Sequence, residues 1–307
     1  MRKEERAFSR AQNSILEERT RLMTSTRDEL DRLLQVALQR VQIILAGAPS
    51  DYQQWHLDQL QRQISQVLAE LGDAGASVMA SATRDAWSVG ESFILDPFGA
   101  AGIALQLPML DGQLLTAIRS FQTERIRDIS VQALSKINQE LGLTMIGAQG
   151  IHETITRVSS VLGEDSRTRA MTIVRSGLGT AFAVSGQRRL EQANLLVAMD
   201  KVWRRSGKIH SRLNHDLADG QRVAADKPFT IQTAGGPIKM MHPHDPAAPA
   251  GEVINCGCVS VPKVRDWGAT MADRKPYSRQ EIRLNPNKAQ IAEGQTLQQL
   301  LEKRKTS

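Results

Sequence analysis

The chain has 307 residues, 41% hydrophobic but only 4% aromatic, enough for a sizeable core built on aliphatic side chains. Its 39 Lys and Arg against 33 Asp and Glu give a formal charge of +6, which permits nucleic-acid contact without demonstrating it. Two cysteines exclude a disulfide framework, the opening MRKEERAFSRAQNSILEERT has no apolar signal region, and no run of about 18 apolar residues exists, so cytoplasmic synthesis without a membrane span is expected.

Ala, Leu, Gln, Arg and Glu fill the first two hundred residues, and all are good helix formers. Leu22, Leu30, Leu33, Leu34, Ala37, Leu38, Val41 and Leu45 recur at spacings of three, four and seven, which predicts a first amphipathic helix. Gly47 to Ser50 break it, with Ser50 or Asp51 as the next N-cap. A second helix runs through Leu57, Leu60, Ile64, Leu68 and Leu71. Gly72 to Gly75 then predicts an interruption before a third helix with Val78, Trp87 and Phe93.

The Gly- and Pro-rich stretch DPFGAAGIALQLPML, 96–110, predicts a loop or hinge. Helix resumes near Asp111, with Leu114, Ile118, Phe121, Ile129, Leu134, Ile137 and Leu141 on one face. A further helical run is expected from Ser166 to about Arg205, broken near Gly177. From Ser206 to Pro262 turn formers and short β-type runs such as PFTIQT and EVINCGCVSV predict a small α+β module, with Asp219 and Gly220 as a hairpin turn. Beyond Pro262 ten basic residues oppose five acidic ones in a sequence without strong periodicity. The expected fold is therefore mainly α: a helical region over 1–162 for partner contact or self-association, a small α+β module over 163–262, and a basic extended tail over 263–307.

Both cysteines, Cys256 and Cys258, sit in EVINCGCVSV. Side chains two apart on a strand share a face, so Ile254, Cys256 and Cys258 would point together, with Gly257 letting the backbone bend. Two such thiolates suit a zinc ion, which takes four N or S ligands in structural sites. His215, His242 and His244 are the candidate partners, making a structural zinc site of Cys256, Cys258, His215, His242 and His244. Free cysteines also serve as small buried hydrophobes, and a Cys-x-Cys disulfide would close a short strained ring.

An ordered set of residues carries a resemblance. Arg175, Trp203, the run Arg212 to His215, Asp219 with Gly220, Asp226 to Phe229, Pro243 to Pro246, and Asn255 to Cys258 together resemble the C-terminal domain of phage head morphogenesis proteins, the minor head proteins of the phage Mu F-like family. The likeness covers residues 160–262. It implies a minor capsid component of a tailed phage or prophage. Such a protein binds portal protein and major capsid protein during head assembly in the host cytoplasm, then stays in the virion, in the head interior or at the portal vertex. Contact with packaged double-stranded DNA and a role in DNA ejection are also implied. The chain has Ser176 and Gly177 where the family often has Thr and Glu, and Gly257 where it often has Arg.

Other chemistries find little support. The sequence holds no GxxxxGKS/T loop, no GxGxxG and no GxSxG elbow. The alternative is a metal-dependent nuclease or toxin-like effector using His242, His244 and Asp245 around a cation. Two cysteines with histidines would instead fill a closed tetrahedral site, so a non-enzymatic protein is expected. In the tail, Lys303, Arg304, Lys305, Arg279 and Arg283 are the candidates for neutralising DNA phosphates. Leu297, Leu300 and Leu301 are the candidate anchors for docking on a larger protein surface.

Overall fold

The computed structural model describes residues 3–47, 54–267, 272–296 and 299–300. Helix takes up 67% of the described residues, so the mainly α expectation holds: a helical N-terminal region is followed by a small sheet-containing module and a C-terminal tail. The first helix, α1, covers Lys3–Ala46, and the second, α2, covers Gln54–Ala100. Next come α3, Gly112–Met145, and α4, Ile151–Ser160. One π-helical turn, Val161–Asp165, leads into α5, Ser166–Asn194.

Two predicted helix breaks are absent. Helix continues through Gly72–Gly75 and through Gly177. These glycines permit close packing instead. A Cβ on Gly75 would lie 2.8 Å from Ile126, and one on Gly177 would lie 2.6 Å from the Gln122 side chain. The predicted hinge at 96–110 is likewise helical as far as Ala100, with Pro97 inside the last turns of α2, and non-helical only beyond it.

The chain divides into two compact units. One comprises 20–85 and 112–177, all helical segments and their connections. Leu30, Leu34, Val41 and Leu45 of α1 are buried there, as the leucine spacing predicts, and so are Ile64 and Leu68 of α2 and Ile126, Ile137 and Leu141 of α3. Phe121, expected on the buried face of α3, is exposed, with the Arg125 guanidinium 5.6 Å above its ring.

The other unit comprises 1–19, 86–111 and 178–307. It holds the sheet module. Strand β1, Met199–Arg204, occupies the end of the stretch expected to be helical; its VW pair suits a strand, and four of its six residues are buried. It lies between β2, Arg222–Ala224, and β5, Val259–Val264, antiparallel to both. A separate hairpin joins β3, Phe229–Thr233, to β4, Gly236–Met240, with PFTIQT a strand as predicted. The Asp219–Gly220 turn does not close a hairpin of its own. It follows a short helix, α6, Leu213–Leu217, that links β1 to β2, and Gly220 has φ +84°.

Apolar contacts join these parts. Phe8 of α1, Phe98 of α2 and Leu190 of α5 pack with Met199 and Val264 of the sheet. Ile15, Phe93 and Phe182 pack against Val259 and Val261. At Gly90, α2 comes so close to α5 that a Cβ would lie 2.4 Å from the Phe182 carbonyl oxygen.

After α7, Ala250–Val253, the tail carries two short helices, α8, Arg279–Leu284, and α9, Pro286–Ala292. A capping box starts α8: Ser278 Oγ accepts from the Glu281 amide, and the Glu281 carboxylate accepts from the Ser278 amide. Glu281 also takes a 2.5 Å hydrogen bond from Arg205 and one of 2.8 Å from Lys288. Arg205 and Lys288 are both fully enclosed, and the Arg205 guanidinium lies 3.8 Å from the Tyr277 ring. No helix among the described residues is long and apolar enough to cross a membrane.

Candidate metal centre

His215 stands on α6, and the two cysteines sit in the turn between α7, Ala250–Val253, and β5. The cysteines therefore precede the strand in which the sequence pattern put them. Their convergence comes from the turn itself. Asn255 has a left-handed φ of 58°, and Cys258 N donates to Cys256 Sγ at 3.4 Å. Arg212 holds the Ile254 carbonyl at 2.6 Å and Lys208 holds that of Asn255 at 2.5 Å. Gly257 is required, since a Cβ there would lie 2.8 Å from Ser206.

His215 Nδ1 lies 3.6 Å from Cys256 Sγ and 3.7 Å from Cys258 Sγ. The three ligand atoms lie within 4.8 Å of one another, and all three residues are buried, at 2 to 3% exposure. The other ring nitrogen, Nε2, is 2.8 Å from Glu252 Oε2, which also accepts from Asn214 Nδ2 at 3.0 Å. A carboxylate behind a ligating imidazole fixes the tautomer that offers the opposite nitrogen's lone pair. Trp203 meets His215 edge to face at 5.1 Å and closes one side.

Electrostatics follow from these contacts. Burial opposes a charged His215, but hydrogen bonds to Cys256 and Glu252 outweigh it and raise its pKa. The hydrogen bond from Cys258 holds the Cys256 thiol well below its ordinary value against the effect of burial. Cys258, as donor and as a buried group, goes well above it. The Glu252 carboxyl is lowered, first by its hydrogen bond from His215.

The other predicted ligands are placed differently. His242 is buried with Nδ1 2.9 Å from the Pro243 carbonyl, and it does not join the set of three. His244 does not join it either, yet it is only 1% exposed and neither ring nitrogen has a partner. It also has a left-handed φ of 66°. Burial draws its pKa down to about 4, with the Cys256 charge acting in the other direction. Its ring fills the space beside Gly179, where a Cβ would lie 2.5 Å from His244 Nε2. Asp245, proposed in the sequence as a metal or base residue, spends both oxygens on backbone amides, those of Met241 at 2.7 Å and Ala247 at 2.9 Å.

In the tail, Arg279 and Arg283 lie one turn apart on α8, both exposed, while Glu281 between them points inward. Leu300 is only 1% exposed: the chain's own packing takes it up and leaves it no surface for a partner, against its expected role as an anchor. Leu297, Leu301, Lys303, Arg304 and Lys305 lie outside the described residues. Sequence reasoning missed Glu252, which nothing in its local pattern marks. Comparison of the chain with protein families, curated proteins and solved structures gives no match.

Proposed function

We propose that the chain is a non-enzymatic assembly protein whose sheet module is tied together by a structural zinc ion, and that it serves as a minor head protein of a tailed phage or prophage. The observation that carries the zinc reading is the meeting of His215 Nδ1 with the sulfurs of Cys256 and Cys258. Two thiolates and an imidazole are the donor set zinc favours over harder cations. The Glu252 carboxylate on the far ring nitrogen is the usual support for such a ligand. His244, buried with both ring nitrogens unpartnered, is the fourth ligand in this reading. Once bound, the ion crosslinks α6, the Pro243–Asp245 turn and the turn before β5, three segments with few apolar residues of their own to bury.

Adhesion fits this site better than turnover. The ligands are enclosed, and Asp245, the base a nuclease would need, is fully engaged with backbone amides. The phage reading rests on the ordered motifs of residues 160–262. In it the helical region and tail bind portal and major capsid protein, and exposed Arg279 and Arg283 contact packaged DNA. Metal analysis of the purified protein beside a Cys256→Ser variant tests the clip, with one zinc per chain expected in the first and a large loss in the second. Mass spectrometry of purified particles tests the assignment, and absence of the chain from mature heads overturns it.

A further inference from the structure

Arg19, on α1, is a buried arginine without an acid. It is 9% exposed, its Nε has no hydrogen-bond partner, and no carboxylate pairs with it among the described residues. A buried guanidinium left this way is strongly unfavourable unless something negative is near. Its one ring contact, 5.0 Å from the centre of Phe182, recovers a small part of that cost. Arg19 also lines a cavity of about 20 Å³ shared with Cys258, Gly179 and Ser260. That space has room for a single water among the groups that line it. Ser260 Oγ, on the same cavity, is also buried without a partner.

The geometry points to Arg19 as the counter-charge of the cysteine pair: a positioning residue contributed by α1 that stabilises metal-bound thiolates and so couples docking of the first helix to metal loading. This rests on the zinc reading above. The link is mechanical as well as electrostatic. Two turns earlier on the same side of α1, Gln12 Nε2 donates to the Pro262 carbonyl at 2.8 Å, in the strand that follows the cysteines. Linkage requires reciprocity: whatever the docked helix adds to metal affinity, the metal returns to helix docking.

Cobalt(II) titration of the full chain tests this, because a sulfur-to-cobalt charge-transfer band reports the charge felt by the thiolates. A nearby cation lowers the energy of the sulfur electrons, so its removal moves the band to longer wavelength. Arg19→Met is expected to weaken cobalt binding about 10-fold, the low end for lost outer-shell support, and to shift the band. Arg19→Lys keeps the charge and is expected to keep the band near its wild-type position. Wild-type affinity and band position in Arg19→Met overturn the assignment while leaving the metal site standing. If Arg19→Met does not fold, Arg19→Gln against Arg19→Lys decides: a shift in the glutamine variant alone supports the counter-charge, and equal behaviour of the two overturns it. A wild-type chain that gives no sulfur band, or a Cys256→Ser variant that binds as well as wild type, removes the zinc reading and this inference together.

Discussion

Glu252 Oε2 lies 2.8 Å from His215 Nε2, while the other nitrogen of that ring faces the sulfurs of Cys256 and Cys258. The carboxylate thus holds the ring in the orientation and tautomer that a metal ligand needs. Glu252→Gln keeps a carbonyl oxygen to accept from Nε2 but removes the charge, and Glu252→Ala removes both. Zinc affinity, measured by competition with a chromophoric chelator, should fall about 10-fold or less in the first and 10- to 100-fold in the second. Equal affinity in all three proteins would show that Glu252 does not support the site.

Metal removal should loosen the module, because zinc that binds only the folded chain adds its binding free energy to stability. At free zinc 1,000-fold above its dissociation constant this is about 4 kcal/mol. A chelator should therefore lower the midpoint of thermal unfolding by several degrees. In Cys258→Ser the midpoint should already be low and should not respond to the chelator. A variant that still responds would mean that the metal sits elsewhere.

These residues also show how far the sequence could be read. His215, Cys256 and Cys258 were legible because so few residue types ligate zinc and the only two cysteines lie two apart. Glu252 and Arg19 were not, because their roles arise from packing between segments distant in the chain, and neither leaves a local pattern. The leucine spacing of α1 predicted its buried face, since a 3.6-residue period is a local property. Gly72, Gly75 and Gly177 misled for the same reason in reverse. Locally glycine weakens a helix, but a Cβ at Gly75 or Gly177 would collide with a neighbouring helix's side chain, a constraint set by tertiary packing. The helical pattern of the preceding segment runs on into β1 because the flanks of that strand are rich in helix formers, whereas its pairing partners Arg222–Ala224 and Val259–Val264 lie far along the chain.

Gly90 and Gly99, both on α2, separate those two roles of glycine. A Cβ at position 90 would lie 2.4 Å from the backbone oxygen of Phe182, which cannot swing aside. Gly90→Ala should destabilise the protein by about 1 to 3 kcal/mol, the cost of overpacking. At Gly99 nothing lies within 4 Å, and alanine there should stabilise by about 0.5 to 1 kcal/mol through helix propensity alone. Urea unfolding of the two variants measures both. A neutral Gly90→Ala would mean that α2 and α5 do not approach as closely as the structure has them.

Acid should release the tail through Glu281. Burial disfavours its charge, but hydrogen bonds from Arg205, Lys288 and the Ser278 amide prevail and bring its pKa from 4.5 to about 2. A depressed carboxyl pKa contributes stability that is fully present above the unfolded value and is lost as pH falls through the folded one. The contribution, about 3 kcal/mol from a shift of this size, should therefore hold above pH 4.5 and disappear as pH approaches 2. Glu281→Gln should be less stable than wild type by a similar amount near neutrality, with the difference shrinking across that window. Hydrogen exchange of residues 272–296 locates the effect: protection in wild type should fall with acid, and in the variant it should be low throughout. A gap between the two proteins that stays constant from pH 5 to 2 would mean that the charge of Glu281 does not hold the tail in place.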